Sequence, residues 1–87
     1  MSETRETRLK RLRIRSWRRG TREMDLLLGG YADDALEALD DGALEAFEAL
    51  LEAPDQDLYA WISGSAAADP EHAPMVDRIQ RHHGLAS

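Results

Sequence analysis

Apolar residues recur at helical spacing in segments separated by glycine and proline, which predicts an all-α chain of five helices. The cleanest pattern follows Thr21. Met24, Leu27, Leu28, Tyr31 and Ala35 keep the i, i+3, i+4, i+7, i+11 rhythm of one buried stripe. Glu23, Leu26, Gly30 and Glu37 fall on the opposite side, so Leu26 stands as an apolar residue beside an outward carboxylate. Gly29-Gly30 weakens this second helix and marks a candidate kink or break. Thr21 is placed to cap it, and Glu23 and Asp25 lie in its first turn, where negative charge complements the helix dipole.

The segment before it, 4–17, reads as a first helix. Its apolar residues Leu9, Leu12, Ile14 and Trp17 scatter around the axis, and Glu3 or Glu6 can reach an arginine three or four places on. Gly20 is expected to end or sharply bend this helix, because glycine is costly inside a helix and favoured just past its end.

A third helix is expected from Asp40 or Asp41, one of which caps it, to about Glu52. Leu44, Phe47, Leu50 and Leu51 lie inward. Glu45, Glu48 and Glu52 share the outer face, a solvated surface or a contact for basic groups. Pro54 stops that helix, and Asp55 is the expected cap of a short fourth one that buries Leu58, Trp61 and Ile62. A loop runs from Ser63 through the alanines, with a turn at 70–73. A fifth helix follows from about Pro74 to His83, with Met75, Val76 and Ile79 inward, and the tail 84–87 is expected to fray.

Charge changes this picture. The chain has 87 residues and a net charge of −6, yet nine of its eleven Lys and Arg lie between Arg5 and Arg22, and none lies between Glu23 and Asp77. A basic first helix on an acidic helical body, 24–83, permits steering toward a charged partner or a solvated face that pairs with the body. Eighty-seven residues suit one domain with little room for a catalytic pocket enclosed by core. The chain has no cysteine, hence no disulfide or thiolate metal site. With no apolar run near bilayer length and no signal-peptide pattern, it reads as a mature cytoplasmic protein without membrane insertion; a bacterial source and a monomer when free are separate expectations.

Chemical motifs are scarce. His72, His82 and His83 are the only histidines, and the adjacent pair projects about 100° apart on a helix, a poor geometry for a shared metal. The acid pairs Asp33-Asp34 and Asp40-Asp41 sit at turns and caps, and no Gly-rich loop precedes a lysine as a phosphate cradle would require. No catalytic or metal site is expected. The arginines of the first helix can neutralise phosphates, so the alternative is a nucleic-acid-associated regulator, or an antitoxin-like small protein, using that helix. The acidic body and a pI of about 4.9 argue against specific readout.

Arg19-Gly20-Thr21-Arg22-Glu23 reads as an RGxxE motif at a helix junction. It resembles the small flavinylation assembly factors of succinate dehydrogenase. Arg18 to Asp25 resembles the family's helix junction. Leu50-Leu51-Glu52 with Asp55 to Trp61 resembles its third and fourth helices, and Met75 to Gln80 its last. The resemblance implies a compact five-helix, bundle-like single domain over 1–87. It implies an assembly factor, not an enzyme, that binds the flavoprotein subunit of succinate dehydrogenase and often that of fumarate reductase. The factor promotes covalent attachment of FAD by stabilising a competent conformation of that subunit. No cofactor of its own is implied, because FAD belongs to the partner. The motif puts Arg19, Gly20 and Glu23 at the contact surface, and Arg18, Arg22, Asp25 and Leu26 border it.

Overall fold

A computed structural model describes residues 3–85, which form five α-helices and one short 3₁₀ turn, with no strand among the described residues. The fold class is all-α, as the periodicity predicts. The chain divides into two compact helical units that meet in sequence at Leu39 and Asp40.

The first unit holds α1 (Arg5–Ser16), α2 (Arg22–Ala35) and a 3₁₀ turn (Leu36–Ala38). Thr4 starts α1: its hydroxyl accepts the Thr7 N–H at 3.1 Å. Leu9, Leu12 and Ser16 are buried, a stripe that the apolar residues alone do not reveal because its last member is polar. Ser16 tolerates this by donating its hydroxyl to the Leu12 carbonyl at 2.7 Å. Ile14 and Trp17 remain exposed instead.

The helix ends at Ser16, with Trp17 as its cap, four residues before Gly20. Gly20 is therefore not the terminator. It sits within the linker at φ 103°, a left-handed backbone that a side chain would strain. The α2 stripe is Met24, Leu28, Gly29, Tyr31 and Ala32, while Leu27 and Ala35 are half-buried. The Gly29-Gly30 pair does not break α2, which runs unbroken from Arg22 to Ala35. Arg5 reaches back to donate its guanidinium to the Glu37 and Leu39 carbonyls, which tethers the end of this unit to the start of α1.

The second unit holds α3 (Asp41–Leu50), α4 (Asp55–Ser63) and α5 (Ala73–His82). Asp40 caps α3 by accepting the Ala43 N–H at 2.8 Å. Leu44, Phe47, Leu50 and Leu51 are all buried. The helix stops at Leu50, two residues short of the expected end. The chain then tightens into i→i+3 bonds from Glu52 to Ala49 and Ala53 to Leu50, because the residue before Pro54 is pushed away from helical geometry. The cap position of α4 is Pro54 and not Asp55, which lies inside the first turn.

Leu58, Trp61 and Ile62 are buried, and Gly64 closes α4 at φ 86°. α5 packs on α3 and α4, burying Met75, Val76 and Ile79. Its Gln80 amide donates to the Trp61 and Ile62 carbonyls at 3.0 and 3.3 Å, adding a second donor at Trp61, which also accepts the Gly64 N–H at 3.3 Å. Gly84 and Leu85, expected to fray, form a closed capping turn: Leu85 N–H donates to Gln80 at 2.8 Å and Gly84 N–H to Arg81 at 3.1 Å. The rest of the expected frayed tail, Ala86 and Ser87, lies outside the described residues.

Candidate partner interface

The linker between α1 and α2 is short and held from both sides. Arg18 N–H still donates to the Arg15 carbonyl at 3.3 Å, the last echo of α1. The Thr21 hydroxyl then accepts the Met24 N–H at 3.3 Å and opens α2. Asp25, one turn into α2, accepts the Arg19 N–H at 2.7 Å. A carboxylate accepting a backbone N–H is stronger than a neutral bond. It fixes the linker against the helix start, and glycine at position 20 lets the backbone make the turn between them.

What this corner presents follows from the geometry. Arg18, Gly20, Thr21, Arg22, Glu23 and Leu26 are exposed, whereas Arg19 and Asp25 are half-buried and Met24 is buried. Of the seven residues expected at or beside the contact surface, Arg18, Gly20, Arg22, Glu23 and Leu26 are exposed at this corner of the first unit, and Arg19 and Asp25 are half-buried there. Asp25 is turned to the linker, so its first task is to position Arg19. Glu23 lies in the first turn of α2. It offers an acceptor to an incoming donor from a rigid helix start.

The corner also holds a contact that the apolar pattern does not predict. The Trp17 indole lies flat against Gly29 of α2: a Cβ there would meet the ring carbons Cδ2 and Cε2 at 2.3 and 2.4 Å. The same ring donates its Nε1–H to Asp33 at 3.1 Å. The available signal was a glycine in a strong apolar helix twelve residues after a tryptophan, but nothing local ties the two.

The basic helix is partly engaged within the chain. Arg11 binds the Glu3 carboxylate with two nitrogens, at 2.6 and 3.2 Å, and Arg13 stands 4.0 Å from Glu37. With Arg5 tethering the end of the unit, part of the charge that motivated a nucleic-acid reading serves internal contacts. That alternative gains no support. Among the described residues no cluster of three or more His, Asp or Glu could hold a metal, and no helix is long and apolar enough to cross a membrane.

The family described as flavinator of succinate dehydrogenase matches residues 10–83, a span that includes the whole corner. This chain belongs to that family. An Aliivibrio fischeri protein named FAD assembly factor SdhE is 39% identical over 67 residues, covering 76% of this chain and 78% of its own length. A Vibrio vulnificus protein of the same name is 34% identical, covering 85% and 88%. The Meyerozyma guilliermondii protein named succinate dehydrogenase assembly factor 2, mitochondrial, is 41% identical over 76 residues, covering 87% of this chain but 53% of its own. The chain thus spans about half the length of that yeast relative and more than three quarters of the two bacterial ones.

Proposed function

We propose that this flavinator-family protein is an assembly factor that binds the flavoprotein subunit of succinate dehydrogenase and promotes covalent attachment of FAD to it. The observation that carries the reading is the exposed, doubly anchored corner formed by Arg19-Gly20-Thr21-Arg22-Glu23 within the family match. Arg19 supplies a planar donor fork for a carboxylate. Gly20 leaves room for close approach of a partner backbone. Glu23 accepts from a partner donor. The factor provides no reacting group and no cofactor of its own. Its binding energy favours the flavoprotein conformation in which FAD and the acceptor side chain are aligned, and the barrier falls because orientation is settled beforehand.

The test is expression of the flavoprotein subunit with and without this protein, followed by denaturing gel and in-gel flavin fluorescence. Glu23→Arg is the cleanest variant, because position 23 is exposed and helical, whereas Gly20→Arg also strains a left-handed backbone. Losing one partner of a desolvated charged hydrogen bond costs about 2 kcal/mol or more, so covalent flavin should fall below about a tenth of the wild-type level. Full incorporation with Glu23→Arg would remove the corner from the interface. Repeating the assay with the fumarate reductase subunit tests whether the partner range is wider.

A further inference from the structure

Three of the five large apolar side chains that are exposed among the described residues flank the corner: Ile14 at 47%, Trp17 at 39% and Leu26 at 50%. Ile14 precedes Trp17 by one turn on α1, so the two are neighbours on that helix surface. Leu26 precedes Gly29, the residue under the Trp17 ring, by one turn on α2. The indole therefore lies across the junction of the two helices, with an exposed aliphatic side chain one turn away on each. Its ring is held by the Gly29 backbone on one face and by Asp33 at Nε1. An aromatic ring already held in place loses little freedom on binding.

The border of this strip is mainly cationic. Arg18 follows Trp17 directly, Arg22 stands one turn before Leu26, and both are exposed. Two carboxylates also touch it, Glu23 beside the corner and Asp33, which is engaged by the indole. An apolar centre with a charged rim is the anatomy of a protein interface.

Resting on the function proposed above, we infer that Ile14, Trp17 and Leu26 form the apolar centre of the docking surface, and that Trp17 is its anchor. The occupant is the flavoprotein subunit, through an apolar patch edged by carboxylates that face Arg18 and Arg22. The strip adjoins the Arg19–Glu23 corner, so one partner surface covers both. The corner supplies the polar contacts and the strip supplies the desolvated area. Tryptophan and arginine are also the residue types that most often dominate binding energy at such centres.

The experiment measures binding of the purified apo-flavoprotein subunit by calorimetry, beside the covalent-flavin assay. Ile14→Glu and Leu26→Glu change exposed positions and should leave the circular dichroism melt unchanged. Each also opposes a carboxylate-edged patch, so each should weaken binding about 10- to 100-fold. Raising salt from 50 to 500 mM should weaken wild-type binding and narrow the gap between wild type and both variants. Trp17→Ala can loosen the first unit, so the anchor is read separately. With 5-fluorotryptophan in the full chain, the Trp17 fluorine resonance should shift on adding the flavoprotein while that of buried Trp61 stays.

Wild-type binding by both glutamate variants, with an unmoved Trp17 resonance, would overturn the strip even if Glu23→Arg abolishes binding. Failure of wild type itself to bind or to raise covalent flavin would instead overturn the parent function. Binding that does not weaken with salt would refute the carboxylate-edged partner.

Discussion

Gly29→Ala sets two opposed effects against each other. Alanine is favoured over glycine in a helix interior by about 1 kcal/mol, and Gly29 lies well inside α2. The new Cβ would however stand 2.3, 2.4 and 2.8 Å from Cδ2, Cε2 and Cγ of Trp17. These are atoms at the base of the ring, so no small tip movement clears them and the indole must swing away. An indole buries about 150–250 Å². With Trp17 39% exposed, the area at stake is on the order of 100–150 Å², worth about 3 kcal/mol at 25 cal/mol per Å².

A displaced ring keeps about half of that, but the Asp33 hydrogen bond is also lost. The cost is then about 2 kcal/mol against a gain of about 1. The net expectation is a destabilisation of about 1 kcal/mol, or a fall in Tm of about 4–8 °C. The decisive assay is a double-mutant cycle by thermal and urea melts. In a Trp17→Ala background the obstacle is gone, so Gly29→Ala should become stabilising by about 0.5–1 kcal/mol. Gly42→Ala is the control. It also lies in a helix, but its nearest obstacle is Asp40 Oδ1 at an ordinary 3.6 Å, so it should stabilise by a similar amount. If Gly29→Ala stabilises the chain equally with and without Trp17, the indole does not rest on that glycine.

The other expectations concern the anchors of each unit. Asp25→Ala removes the acceptor of the Arg19 N–H and should cost about 1–2 kcal/mol. Amide exchange at Arg19 should accelerate, and covalent flavin should fall although no residue of the motif has changed. Unaltered exchange at Arg19 would show that Asp25 does not hold the linker. Gln80→Ala removes the side-chain donor to the Trp61 and Ile62 carbonyls, leaving Trp61 its bond from Gly64 N–H, and should cost about 1 kcal/mol in a urea melt. Flavinylation at a temperature below the melt should stay at the wild-type level, because this contact belongs to the second unit and the corner to the first.

Much of the fold is local, and the sequence determined that much. Thr21 and Asp40 cap helices because an oxygen one turn ahead of free N–H groups binds them wherever the helix ends up. The stripes of α3, α4 and α5 follow from a period of 3.6 residues, which needs no knowledge of the neighbour. The exposed corner at Arg19 to Glu23 was legible for a similar reason: charged residues around a glycine between two amphipathic segments have nowhere to go but the surface.

Tertiary structure alone decided the rest. Ser16 completes the buried stripe of α1, and no hydropathy pattern marks a serine whose hydroxyl is satisfied by its own helix. Gly29 reads as a helix breaker until an indole from another helix occupies the space its missing side chain leaves. Gln80 is an ordinary polar residue until α5 brings it beside the carbonyls ending α4. In each case the deciding energy depends on which surfaces meet, and a chain read one turn at a time holds only the preferences of each turn, not the crossing of two helices.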